Sequence, residues 1–550
     1  MNRDRSQRLF FTLVWLFFII RGTLYAIVTP MWEGFDEPFH FAYVHLLTAT
    51  RALPVWGEAF VDSDVAESTA YLPLPRLMPP LVANAPALSY RDFWQMDKNK
   101  REGLMSNLRR LRASSERSAP SQTPLYQLQH PPLYYFICAP LYRMLDNRSI
   151  VDKVFALRLF SVFVASLCVM AAFLATKTNN LAHWPIFAGL VSLWPCLYID
   201  VGRVGNDSLG VTIFSFLFLA MIWYGSERSA WRAVALGAAL GAGLLTKAYF
   251  LTAVPAIFLF LVLLLAFERT DWKARVMDAA LVFVCAGIIG GWWYIRNLYL
   301  YGNFSGLQET MHFPAVGMSE RVRAALELPW VLVTKNLFVT FCWVSGWSFV
   351  HLPKAFHFVF VLLFGGALAG FLKAGLHRKK GPGKAIPPRN GVLAAVCLIF
   401  FFALGAAYHK INAAATVRSI GGPGGWYFYA LVVPISYLVS LGTCKWGAKV
   451  RRYAFPLAFI ALLLVEAYGF LFVLLPYYSG FATPAASGWG LVFEESVVHV
   501  FSGEAVIRLL TNKPEWLGAS VLAFFAAAYC AASIAVLSII ATLTGKTERS

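Results

Sequence analysis

The chain has 550 residues, 58% of them hydrophobic and only 14% charged, with a formal net charge of +18. Soluble domains carry roughly a quarter charged residues, so this balance excludes an ordinary soluble enzyme. The charge does not imply nucleic acid either. Lys and Arg cluster in short loops between apolar runs, where they set topology. The clusters are Arg3, Arg5 and Arg8; Lys273 and Arg275; His377 to Lys380; and Lys445 to Arg452. Such loops face the cytoplasm and favour anionic membrane lipid.

The chain opens with a basic start and an apolar stretch, with no small-residue cleavage site after it. This predicts an uncleaved anchor crossing from inside to outside at about 9–29. A polar stretch follows, to about 150, on the outer side. It contains amphipathic helical pieces near 34–50 and 129–145. The second is too short for a span and fits a helix lying on the outer membrane surface. The stretch 95–122 is rich in Ser, Arg and Lys, and partial disorder is expected there.

Apolar runs then predict spans near 155–176, 183–200, 208–224, 231–246, 249–267, 277–295, 354–374, 391–408, 427–443, 453–476 and 516–542. The expected fold is therefore an all-α polytopic membrane protein with about twelve transmembrane helices and both termini in the cytoplasm. Two further outside segments lie near 296–353 and 477–515. An apolar piece at 328–350 is read as interfacial or re-entrant, because counting it as a span breaks the charge rule. No internal repeat is visible, which weakens a transporter built from inverted halves. The eight cysteines are scattered singly with no C-x-x-C spacing, and read as small buried hydrophobes.

The sharpest chemical feature is Trp32-Glu33-Gly34-Phe35-Asp36-Glu37-Pro38-Phe39-His40, just outside the first span. Three carboxylates and a histidine at a membrane edge are costly unless partnered. A helix starting at Pro38 places Asp36 and His40 on one face. The plainer reading makes Asp36 a helix cap with Glu37 in the first turn. Cations recur at successive outside helix ends: Arg158, Arg203 in a turn with Asn206 and Asp207, Lys247 at a hairpin tip, and Arg296 after Trp292-Trp293-Tyr294. One such charge is unremarkable, but four together line an anion site for a phosphate. Arg418 precedes the turn Gly421-Gly422-Pro423-Gly424-Gly425, which offers either backbone donors to an anion or simply a tight connection.

These residues, in this order, resemble the GT-C class of integral-membrane glycosyltransferases, which includes protein O-mannosyltransferases and bacterial aminoarabinose transferases. The resemblance rests on Asp36-Glu37, on His130-Pro131-Pro132-Leu133 in the first loop, and on Arg158, Asp207 and Lys247. The Asp-Glu-Pro-x-His form and the Asn-Asp-Ser-Leu turn are closest to a group of uncharacterised bacterial membrane proteins of that class. The likeness covers residues 1–300, a catalytic module that includes the loop 30–150; residues 301–550 match only in layout. Where relatives carry Gly-Arg-Tyr, this chain reads Gly425-Trp426-Tyr427, leaving Arg418 as the nearby cation.

The resemblance implies a bacterial cytoplasmic-membrane enzyme with its site on the outer face. Its donor is a polyprenyl-phosphate sugar, and its acceptor is an extracytoplasmic cell-envelope glycan, lipid or protein. Asp36 is then the base of an inverting displacement, held by Glu37 and His40. Arg158, Arg203, Lys247 and Arg296 stabilise the leaving phosphate, and His40, His130, Asn206, Asp207 and Arg418 complete the substrate site. The resemblance fixes no cofactor; a divalent metal bridging Asp36 and His40 stays open. The rival readings are a flippase for a lipid-linked sugar, which must also open inward, and a structural membrane protein.

Overall fold

A computed structural model describes residues 3–116, 119–179, 181, 184–268, 272–306, 316–376, 389–419, 421–446, 448–494 and 500–546. The basic cluster at 377–380 lies outside the described residues. Among the described residues, ten helices are long and apolar enough to cross a membrane. They run from Asp4–Val28 to Ala519–Leu543. The pair Trp184–Val191 and Pro195–Val201, bent by 47°, and the shorter apolar helix Ala230–Leu244 lie where the two other spans were expected. The chain is an all-α polytopic membrane protein. The apolar piece expected to be interfacial or re-entrant falls in a second pair, Met318–Glu327 and Trp330–Cys342, bent by 77°.

Among the described residues, two small antiparallel strand pairs lie in the loops. Phe60–Asp62 pairs with Pro120–Pro124, and Ala482–Pro484 with Leu491–Phe493. The helices Glu37–Thr50 and Leu133–Met144 match the two amphipathic pieces read from the sequence. They stack through Tyr43 and Tyr135, with ring centroids 3.8 Å apart. The polar stretch expected to be partly disordered is instead structured over most of its length. Asp97 caps the helix Lys98–Arg110 by accepting the N–H groups of Asn99 at 2.9 Å and Lys100 at 3.2 Å. Met105 and Leu108 on that helix are buried, so a few apolar anchors suffice to order a polar segment.

Helix packing explains why glycines sit inside spans. A Cβ added at Gly370 falls 2.0 Å from the Gly442 carbonyl oxygen, and one at Gly442 falls 2.3 Å from that of Ala367. The helices His357–Leu376 and Val432–Thr443 therefore meet backbone to backbone, as small residues allow in lipid. Gly370→Ala and Gly442→Ala are each expected to cost about 1–3 kcal/mol through forced separation, readable as earlier thermal aggregation of detergent-solubilised protein.

Arg21 and Glu466 form an ion pair buried between spans. Arg21, a cation far along the first span, is 1% exposed and lies 2.6 Å from Glu466. The Tyr529 hydroxyl donates to the other Glu466 oxygen at 2.5 Å, and the Tyr198 ring lies 4.1 Å from the guanidinium. This cluster ties the first span to the last two and satisfies a charge that lipid would not.

Candidate functional site

The site begins where the first span ends. Residues 29–36 turn sharply, with Trp32 and Asp36 both in the left-handed region at φ 69° and 55°. That conformation is uncommon for non-glycine residues and costs energy unless the surroundings impose it. Pro38 then starts the next helix, as its fixed φ favours. Asp36 occupies the cap position but makes no side-chain capping bond. Its carboxylate instead accepts a hydrogen bond from the Tyr126 hydroxyl. The cap reading therefore fails on geometry, and the side chain faces a cavity.

That cavity has two parts. The larger, about 590 Å³, is a trough between the helices Ala253–Glu268 and Arg389–Val417, lined by groups such as Leu251, Pro255, Phe401, Phe402 and Leu404. The smaller, about 180 Å³, is a polar chamber holding His40, Arg203 and Asp207 beneath Trp347, Phe349 and Trp426. Asp36, His130, Lys247, Gly422 and Tyr427 line both and form the junction.

Charge in the chamber is organised around Asp207. Lys247 Nζ lies 2.6 Å from its Oδ1, and Arg203 Nη2 lies 2.6 Å from its Oδ2. Arg203 also binds Asp200 at 2.9 Å and donates to the Phe35 carbonyl at 2.7 Å. Lys247 stands over the Tyr427 ring, 4.7 Å from its centroid. Burial pushes the Asp36 carboxyl above the ordinary range, while the Tyr126 hydroxyl, Arg203 and Lys247 pull it back. Burial also drives His40 well below its usual value, helped by Arg203, His130 and Lys247. His130 is pushed down to about 3, mainly by burial and then by Lys247. Both histidines are thus neutral at pH 7, with stacked rings 5.7 Å apart, and the His40 Nδ1 is 2.8 Å from the Tyr135 hydroxyl.

Six of the residues selected from the sequence therefore meet at one place: Asp36, His40, His130, Arg203, Asp207 and Lys247. Five lie elsewhere. Glu37 is wholly buried and saturated: Arg158 binds it through two contacts of 2.7 and 2.6 Å, and the Val204 and Trp32 amides donate at 3.0 and 3.1 Å. Arg158 spends its remaining donors on the carbonyls of Ala26, Thr29 and Pro30. Arg296 donates to the Pro54 carbonyl at 2.9 Å and packs on Trp293. Asn206 donates to the Thr246 carbonyl at 3.1 Å, behind Lys247. Arg418 is exposed and lines neither part of the cavity. Of the four cations expected to line an anion site, Arg203 and Lys247 line the cavity, and Arg158 and Arg296 do not.

Several lining groups were not singled out in the sequence: Tyr126, Gln127, Gln129, Phe349 and His409. Trp347 lines the chamber as well. Tyr126 opens a single 3-10 turn, Tyr126–Gln129, too short for any periodicity to mark it. Among the described residues, no group of three or more His, Cys, Asp or Glu side chains is placed to hold a metal ion.

No family model matches this sequence, and no curated protein matches it. Among solved structures it is similar to ArnT from Cupriavidus metallidurans bound to undecaprenyl phosphate. The identity is 14% and the TM-score 0.47, over 98% of this chain and 77% of that one.

Proposed function

We propose that this protein is a glycosyltransferase of the GT-C type, moving a sugar from a polyprenyl-phosphate donor to an extracytoplasmic acceptor with inversion. The observation that carries the reading is the junction itself. A carboxylate with no ion pair among the described residues, Asp36, and a lysine, Lys247, both line the junction of an apolar trough and a polar chamber.

Each part has a chemical task. The trough takes the first isoprene units of the donor. Lys247 and Arg203 hold the phosphate and stabilise the charge that develops on its bridging oxygen. The sugar enters the chamber, where the aromatic faces of Trp347 and Trp426 pack on its C–H surface. The neutral His40 and His130 exchange hydrogen bonds with its hydroxyls. Asp36 accepts the acceptor's hydroxyl proton as that oxygen bonds to the anomeric carbon. The bond from that carbon to the phosphate oxygen breaks, and polyprenyl phosphate leaves with the electron pair. Glu37 and Arg158 act as positioning groups, and residues beyond 300 complete the module expected within 1–300. With the basic loops in the cytoplasm, the site lies on the outer face.

The rival flippase must open to both sides. The cavity is lined by loop residues from 36–130 and 422–427 and reaches Phe401, midway along the span Asn390–Val417. The test is transfer of labelled sugar in proteoliposomes. Lys247→Met is expected to lower kcat by roughly 10²- to 10³-fold, the usual loss for one group stabilising developing charge. Lipid-dependent flipping without transfer, in wild type and variant alike, would favour the carrier.

A further inference from the structure

Glu33 is the remaining carboxylate of the acidic cluster, and it does not line the cavity. It is wholly buried. Its Oε1 accepts the Ser348 N–H at 3.0 Å, and its Oε2 accepts the Ser348 hydroxyl at 2.9 Å and the Tyr90 hydroxyl at 2.8 Å. Its backbone carbonyl accepts the Trp347 N–H at 2.9 Å. One residue thus makes three bonds to a two-residue segment that is over 300 positions away in the chain.

The segment it holds is strained and functional in placement. Gly346 has φ 118°, and a Cβ there falls 2.8 Å from the Glu33 carbonyl oxygen, so only glycine permits the approach. Phe349 has φ 50°, rare for an aromatic residue. Strain of this kind persists only where surrounding contacts impose it. The side chains on either side of Ser348, Trp347 and Phe349, form the aromatic wall of the polar chamber. Phe349 meets Phe35 at 5.6 Å and Trp426 at 5.8 Å.

We propose that Glu33 is a positioning residue: through Ser348 and Trp347 it sets the aromatic wall against which the donor sugar rests. This rests on the transferase reading above. The groups facing Glu33 are Tyr90, Tyr477, Tyr478 and Glu37, with Arg76 beside Tyr477 and Arg158 beside Tyr478. Burial pushes its carboxyl up to about 8 against the hydrogen bonds from Tyr90 and Ser348. A group raised in the folded state gives stability that is full below the ordinary carboxylate range and lost as pH rises through about 8. Stability from Glu33 therefore declines steadily as pH rises towards about 8.

The test compares wild type with Glu33→Ala, Glu33→Gln and Gly346→Ala, reading amide hydrogen exchange over 345–350 and KM for a polyprenyl-phosphate sugar. Glu33→Ala is expected to speed exchange of the Ser348 amide by about tenfold or more, since it loses its buried acceptor. KM for the donor rises with it, more than kcat falls. Glu33→Gln keeps an acceptor for that amide, restores both values and removes their alkaline drift. If Glu33→Ala does not fold, Gly346→Ala pushes the same joint apart from the other side and should raise exchange and KM together. Unchanged exchange in both variants would show that Glu33 does not hold the wall. Faster exchange with unchanged KM would overturn the positioning role. Absence of transfer by the wild type would sink the transferase reading, while exchange would still decide whether Glu33 fixes the segment.

Discussion

Asp36→Asn is expected to reduce sugar transfer by roughly 10²- to 10⁴-fold, the range lost with a general base. The substitution preserves size and can still accept a bond from the Tyr126 hydroxyl, so expression and donor binding should persist. The wild-type rate should fall as pH drops through the raised pKa of Asp36, because only the carboxylate takes the proton. The acid limb should therefore lie above the ordinary carboxylate range, and Asp36→Asn should abolish it. Tyr126→Phe makes the complementary case. Without the phenol donor, burial acts on Asp36 with less opposition, and the limb should move to still higher pH. A flat profile in the wild type, or full transfer by Asp36→Asn, would remove Asp36 from the mechanism.

The membrane architecture was legible because lipid leaves few options. Every spanning segment must satisfy its own backbone, so apolar length reports the spans directly. Interfacial helices were readable for the same reason: 133–144 is apolar but too short to cross. Charges at the loop end were readable as a group, since cations are costly there without partners. Their individual roles were not. Arg158 and Lys247 look alike in sequence, each an outside cation at a helix end. Arg158 is consumed by Glu37, 121 positions earlier, and Lys247 faces the cavity. No local pattern encodes a pairing of that range. Glu466 escaped notice because a single acid in a long apolar run says nothing of its partner until Arg21 is seen beside it. Tyr126, Trp347 and Phe349 reach the site from irregular segments, where neither period 2 nor period 3.6 applies.

The Glu37–Arg158 pair carries the largest expected effect on stability. Both side chains are almost fully buried, 0% and 2% exposed. Every strong donor of the guanidinium and both oxygens of the carboxylate are engaged. Arg158→Met strands a buried carboxylate and three backbone carbonyls, and Glu37→Gln leaves the guanidinium uncompensated. Each single change is expected to cost about 3–5 kcal/mol. The double variant should recover part of that loss, because replacing both charges removes the stranded ion. Its pH dependence has a definite sign. Burial opposes the Glu37 charge, but Arg158 and the Val204 amide outweigh it and hold its carboxyl below the ordinary range. Stability from this pair is present above that range and is lost as pH falls through the lowered value. Thermal unfolding of detergent-solubilised protein at several pH values measures both effects. If the single variants prove as stable as wild type, the pair does not set the turn that presents Asp36. If the double variant is stable yet inactive, the charges orient Asp36 beyond merely holding the fold, since a neutral pair of similar volume would then support the turn without aligning its carboxylate.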